Sequence, residues 1–323
     1  MTSDEPPAAS LSELRLAATA ARLYYLDDRS KVDIAAEMSL SRFKVARLLD
    51  LARSADLVAI QVRDPSGVDR HLSDELRDRL GLARAIVVED TANPRSQVGS
   101  AAAGYLQDTV ELGSNVGLAW SRSTQALAEH LGRLPQCTIV QLCGVVTTAT
   151  GEEHNVELVR RAARQAGVSA VTFYAPLVVS DPAGATALRR QPGIADALDR
   201  CGELTTAVIA IGMWTPGEST VHDALPAEEQ NVFARRGAIA ETCGILVDQR
   251  GETLRDGLQN RTIAVTAAQL RRTRDVVALA TDVERAPAVL ALARSGLVST
   301  LITHRQLAQA VLATLPGAEQ PHG

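Results

Sequence analysis

The chain of 323 residues is 46% hydrophobic, 3% aromatic and carries a formal charge of −5, which excludes a disordered, fibrous or uniformly basic nucleic-acid-binding protein and predicts two or three domains with cores of Ala, Val, Leu and Ile. Only Lys31 and Lys44 among its 33 basic residues are lysines, so chemistry that needs a lysine is excluded beyond the first fifth of the chain. Its four cysteines, Cys137, Cys143, Cys201 and Cys243, are widely spaced with no C-x-x-C pair, which excludes a thiolate metal cluster and predicts buried thiols in a reducing compartment.

Residues 1–11 are polar and lack the basic and apolar blocks of a secretory leader, so a frayed tail is expected there. Leu14 to Asp27 then places Leu16, Ala20, Leu23 and Tyr24 on one helical stripe. Ser30 and Asp33 form a capping-box pattern before a short helix carrying Val32, Ile34, Ala35 and Met38. A tight turn at Ser39, Leu40 and Ser41 leads into a third helix, capped by Ser41 and running to about Ser54. Together these predict a helix-turn-helix.

In the third helix Val45, Leu48, Leu49 and Ala52 share one face while Phe43 and Arg47 point away from it, with Arg42 and Lys44 at the N-terminal end. The segment 12–63 holds nine basic and seven acidic residues, a balance of +2, against 24 and 29, a balance of −5, in 64–323. Such a helix suits a major groove, where arginine reads guanine and lysine neutralises phosphate. Ser41, Arg42, Phe43, Lys44 and Arg47 are therefore the candidate contacts to a double-stranded DNA operator. An ordinary three-helix bundle with a solvated basic face fits the same pattern. Leu57 to Arg63 alternates like a short strand and Asp64 to Gly67 breaks it, which suggests a wing followed by a boundary. The expected organisation is a helix-turn-helix domain over 12–63, a linker over 64–71, a second domain over 72–316 and a tail over 317–323.

In the second domain, strand-like runs at 85–88, 115–120, 138–143, 171–175, 207–211, 244–247, 262–265, 276–280 and 299–303 alternate with amphipathic stretches at 125–131, 156–165, 228–236 and 287–293. The alternation predicts an α/β fold with a doubly wound, mainly parallel sheet. Ligands of such sheets bind in loops at the carboxyl ends of strands. One such loop is Ser121, Arg122, Ser123 and Thr124, whose hydroxyls, guanidinium and helix-start amides suit a phosphate. A helix cap beside a solvated arginine explains the same residues. Gly144 with Thr147 and Thr148, Gly212, and Glu241 with Asp248 mark further loops that also read as turns or caps.

Tyr24-Tyr25, Ile34-Ala35, Leu40-Ser41-Arg42, Arg47-Leu48-Leu49 and Ala52 together resemble the DNA-binding segment of the SorC family of sugar-responsive bacterial transcription regulators. The later segments Val116 to Thr124, Leu142 to Gly144, Gly212, Gly237 to Glu241 with Asp248, Val276 to Arg285 and Leu301 to Thr303 extend the likeness over most of the chain. The resemblance implies a sugar-binding domain related in fold to glucosamine-6-phosphate deaminase and ribose-5-phosphate isomerase. It implies a phosphorylated sugar held near Ser121, Arg122, Ser123 and Thr124, with Gly144 and Gly212 in the surrounding loops and with Glu241 and Asp248 accepting from hydroxyls. Where members of the family commonly carry two glycines and a lysine, this chain reads Thr281, Asp282, Val283, Glu284 and Arg285. A planar arginine fork replaces an ammonium there, and Asp282 is spaced to pair with Arg285. Thr303-His304-Arg305 likewise stands where an acidic residue often follows the threonine.

None of the motifs G-x-S-x-G, G-x-G-x-x-G, H-E-x-x-H or the Walker loop occurs, and the six histidines are scattered. His71, His130 and His322 read as surface residues, and His154, His222 and His304 as solvated loop residues. The expectation is a cytoplasmic transcription regulator, not an enzyme, without cofactor or metal. Its partners would be a DNA operator, a small-molecule effector such as a sugar phosphate, and copies of itself in a homodimer or homotetramer, with no membrane. Two rivals remain open: a sugar-phosphate isomerase or deaminase using Glu241, Asp248 or His222-Asp223, and a regulator whose effector pocket has decayed.

Overall fold

The computed structural model describes residues 10–58, 67–146, 154–255 and 258–315. Most of the expected wing, Thr147, Thr148, His322 and both expected tails apart from Ser10 and Leu11 lie outside the described residues. The chain divides into two compact units, Met1–Arg63 and Asp64–Gly323.

The first unit holds α1 (Leu11–Tyr25), α2 (Lys31–Glu37) and α3 (Arg42–Ser54). Each begins on a serine: Ser10, Ser30 and Ser41 accept from the backbone N–H of Glu13, Asp33 and Lys44, satisfying donors that a helix start leaves open. The α2–α3 turn is sharp because Ser39 adopts a left-handed conformation, φ 54°. Val45, Leu48, Leu49 and Ala52 of α3 are buried as their spacing predicts, against Ile34 and Ala35 of α2. In α1 the buried face is Ala17, Ala20 and Ala21, whereas Leu16 is 40% exposed, and in α2 Val32 is 60% exposed. The alanines let α3 approach α1 closely, and the larger apolar residues on the expected stripe do not all turn inward.

The second unit runs α4 (Arg70–Leu80), β1 (Arg84–Val88), α5 (Pro94–Thr109), β2 (Asn115–Leu118), α6 (Arg122–His130), β3 (Thr138–Gln141), α7 (His154–Ala166), β4 (Ser169–Val171), α8 (Pro182–Arg189), α9 (Pro192–Arg200), β5 (Thr206–Ala210), β6 (Gly212–Met213), α10 (Thr220–Asp223), α11 (Ala227–Arg235), β7 (Ala238–Thr242), β8 (Ile245–Asp248), α12 (Ala267–Arg272), β9 (Asp275–Leu279), α13 (Ala286–Arg294), β10 (Thr300–His304) and α14 (Arg305–Ala313). Seven strands form one sheet in the order β1-β10-β9-β5-β2-β3-β4, and every pairing within it is parallel.

The inner strands β10, β9, β5, β2 and β3 are largely buried on both faces, which is why they read as continuous apolar runs, whereas the edge strand β4 is exposed. Val208, Val277 and Leu279 join the layer with α5, α6 and α7, while the alternate residues Ala207, Ile209, Val276 and Ala278 join the layer with α4, α13 and α14. Gly117 lies between Val116 and Leu118, and a Cβ there would sit 2.4 Å from Leu142 Cδ2. From β2 the chain winds through β3 to β4 on one side, then returns to β5 on the other and continues to β9 and β10. The winding direction therefore switches between β2 and β5, which opens a crevice at their carboxyl ends.

A second sheet, β6-β7-β8, is antiparallel. Its β7–β8 hairpin turns through Cys243 and Gly244, both left-handed with φ of 50° and 79°, the signature of a two-residue type I′ turn. β7 replaces the loop expected before Cys243. Residues 262–265, expected as a strand, make only single bridges, Cys143 to Ala264 and Val178 to Thr262. The fourth strand is Ser169–Val171 and ends where the expected run began.

Candidate functional site

Two sets of residues concern function, one in each unit. In the first, Ser41 caps α3, and Arg42, Phe43 and Arg47 are exposed, Phe43 at 84%. Arg42 and Arg47 have no ion-pair partner among the described residues. Lys44 Nζ lies 3.6 Å from Glu13 Oε1, a solvent-facing pair of the kind worth roughly 0–1 kcal/mol and readily exchanged for a phosphate. Further along the helix Arg53 is paired with Asp50 at 2.6 Å. The basic character free to meet an anion is thus concentrated at the helix's N-terminal half.

In the second unit a cavity of about 120 Å³ occupies the crevice at the switch point. Its walls come from the loops after β2 (Ala119 to Ser123), β3 (Cys143, Val145), β5 (Ile211) and β9 (Thr281, Asp282), together with Gly212 of β6, the start of α10 and the β7–β8 hairpin. Of the residues expected around an effector, Ser121, Arg122, Ser123, Gly212, Glu241, Asp282 and Arg285 line this space.

Three others do not. Thr124 is fully buried in a capping box, donating its hydroxyl to Ser121 O and accepting from Ser121 N–H at 2.7 Å. Gly144 packs instead of lining: its N–H donates to Ile263 O, and a Cβ would sit 2.6 Å from Ala175 O. Asp248 ends β8, where Oδ1 accepts from the N–H of Arg250 and Glu252 at 2.9 and 2.8 Å and closes a turn. It is absent from the cavity wall because it stands opposite Ala238, at the end of the hairpin away from Glu241 and the turn.

Glu241 has a structural task beside its place in the wall. Its Oε1 accepts from Gly244 N–H at 2.6 Å, bracing the hairpin, and its Oε2 accepts from Ser219 Oγ at 3.0 Å. Burial raises its carboxyl above the usual range, and those two hydrogen bonds together with Arg285 act in the opposite direction. Arg285 donates to Ile211 O at 2.6 Å and Glu218 Oε2 at 3.1 Å, and its Nε lies 3.1 Å from Asp282 Oδ2 as an ion pair without hydrogen-bond alignment.

Sequence reasoning missed Arg95, Glu218, Ser219 and Asn155. Asn155, at the start of α7, donates to the carbonyls of Cys143 and Gly144 and so fixes the loop after β3. A glycine followed by Glu218, Ser219 and Thr220 was the available signal for the α10 start, because serine caps that helix. All four cysteines are free and buried. Burial pushes Cys201 up to about 12, and the neighbouring Cys143 with burial raises Cys243, so both are held as thiols.

Two histidines depart from the expectation of solvated loops. His222 is buried with Nδ1 2.9 Å from Asp223, and His304 is buried with its ring nitrogens 2.8 Å from Asp90 Oδ1 and 2.5 Å from Thr281 O. Among the described residues no group of three or more His, Cys, Asp or Glu side chains is arranged to hold a metal, and no helix is long and apolar enough to cross a membrane.

A family model described as "Putative sugar-binding domain" matches residues 65–313. The chain is 27% identical over 310 residues to the transcriptional regulator LsrR of Enterobacter sp. (strain 638), covering 94% of each. It is also 27% identical over 271 residues to the deoxyribonucleoside regulator of Bacillus subtilis (strain 168), covering 80% of this chain and 84% of that one. The full-length sorbitol operon regulator SorC of Klebsiella pneumoniae superposes with a TM-score of 0.72 at 22% identity, over 93% of this chain and 99% of that one.

Proposed function

The chain belongs to the SorC family of sugar-responsive transcription regulators, and we propose that it binds DNA through α3 and senses a sugar-related small molecule in the cavity of its second unit. The observation that carries this reading is the cavity itself: a space of mixed polar and apolar lining at the switch point of a parallel sheet, in a chain whose first unit presents Arg42 and Arg47 on the exposed N-terminal half of a helix. By this reading Ser41, Arg42, Phe43, Lys44 and Arg47 meet the operator, and Ser121, Arg122, Ser123, Gly212, Glu241, Asp282 and Arg285 surround the effector. The protein works in the cytoplasm as a homo-oligomer, since one short helix offers few phosphate contacts and paired helices match a two-fold operator. Effector binding shifts DNA affinity through its different affinity for two states, a coupling of roughly 1–3 kcal/mol.

Of the groups the enzyme alternative would use, Asp248 closes a turn, and neither it nor the His222–Asp223 pair is among the residues that line the cavity. Glu241 is occupied by Gly244 N–H and Ser219, and Glu218 and Asp282 are both paired with Arg285. A mobility-shift titration of the DNA upstream of the protein's own gene tests the reading. The full chain should shift this DNA at low salt, and Arg47→Ala should bind it about tenfold or more weakly, the loss of one base-reading arginine. Absence of a shift, or identical behaviour of the variant, would remove it.

A further inference from the structure

Two of the three arginines around the cavity already have anionic partners. Arg285 is held by Glu218 at 3.1 Å on one side and by Asp282 at 3.1 Å on the other. The second oxygen of Asp282 lies 3.5 Å from Arg95 Nη2. Two guanidiniums and two carboxylates thus form a network with no net charge. The third arginine, Arg122, is exposed at the start of α6, where water and salt screen it. Glu241, buried and hydrogen-bonded, adds no positive charge in either protonation state.

A phosphate monoester entering this space has two choices. It can take Arg285 from its partners, which leaves Glu218 and Asp282 as unpaired carboxylates facing a dianion. Or it can rest on the hydroxyls of the half-buried Ser121 and the buried Ser123, with the exposed Arg122 as its cation. Uncharged hydroxyl groups meet no such conflict. They donate to carboxylates that retain acceptor capacity and accept from the arginine and serine donors. The cavity, about 120 Å³, is small against the roughly 300–1,000 Å³ of drug-sized sites, which suits a compact polyol.

Resting on the reading of this cavity as the effector site, we propose that the effector is a small uncharged polyol or free sugar, and that the phosphate monoester of the same compound is the poorer ligand. Asp282 and Glu218 set that preference by holding Arg285, so they select against a dianion as well as receiving hydroxyls.

Calorimetric titration of the full chain with matched pairs tests this, using erythritol, ribitol and glucitol, each against its terminal phosphate monoester. The expected result is that at least one free polyol binds and exceeds its ester by about tenfold or more. Asp282→Asn, which releases Arg285 and Arg95 from their shared carboxylate, should move the ratio toward the ester by a similar factor. Glu218→Gln should do the same from the other side of Arg285. If either variant fails to fold, the wild-type ratio still decides. An ester that binds as tightly as its polyol, or more tightly, overturns the proposal and leaves sugar sensing in place. Binding of neither member of any pair overturns both.

Discussion

Glu241 shows how one side chain joins stability to the site. Its carboxyl is raised in the folded chain above its ordinary value of 4.5, with burial the largest cause. A raised folded value means that the folded state holds the proton more tightly than the unfolded one, so its contribution is present below about pH 4.5 and is lost as pH rises through the folded value. Glu241→Gln retains a polar side chain that can accept from Gly244 N–H or Ser219, and it does not titrate. The variant should therefore flatten the fall in thermal midpoint from the acid side toward neutral pH, and a pH series of melting curves that stays parallel to wild type would contradict this. Glu241 was legible as a carboxylate near a strand, but its grip on Gly244 was not, because the type I′ turn that brings them together uses Cys243 in a left-handed conformation rarely taken by that residue. Asp248, grouped with Glu241 by sequence, serves a turn instead.

At the scale of elements, α3 was readable almost in full, since Val45, Leu48, Leu49 and Ala52 repeat at helical spacing and Ser41 caps it. The same geometry leaves Phe43 without a packing role at 84% exposure. Phe43→Ala should therefore leave the unfolding free energy of the chain, from urea titration, within about 0.5 kcal/mol of wild type. It should nonetheless weaken DNA binding by roughly 1 kcal/mol if the ring meets a thymine methyl group. Unchanged DNA affinity, read by fluorescence anisotropy, would take Phe43 out of the interface. Other elements were less legible for physical reasons. The core of α1 is alanine, which marks a face only faintly against its leucines. β7 alternates Ala238 and Ala240 with Ile239 and Glu241, and alanine has weak strand preference, so pairing with β8 and β6 decides its conformation. Close approach fixes α5 against α6, where a Cβ on Gly99 would lie 2.6 Å from the backbone carbon of Ala126. No local pattern announces such a contact.

For the whole molecule, the seven-stranded parallel sheet was visible in the alternation of apolar runs and helices, because strands buried on both faces are apolar throughout. The cavity's position followed from the winding of the sheet and the Asp282–Arg285 pair from its spacing, but the rest of the charge network did not. Arg95 and Glu218 lie far along the chain from Asp282 and Arg285 and meet them only when the segments after β1, β6 and β9 converge. The overall charge of −5 likewise conceals a first unit whose segment 12–63 is positive, so DNA binding should weaken steeply with added salt as phosphate contacts compete with counterions. The most direct test of ligand-controlled DNA binding is the affinity of the full chain for the DNA upstream of its own gene, measured by anisotropy at fixed salt with and without a saturating concentration of any polyol or ester that calorimetry shows to bind. Regulation through the cavity predicts a change of about 5- to 150-fold in either direction. A ligand that binds the chain and leaves DNA affinity unchanged would contradict it.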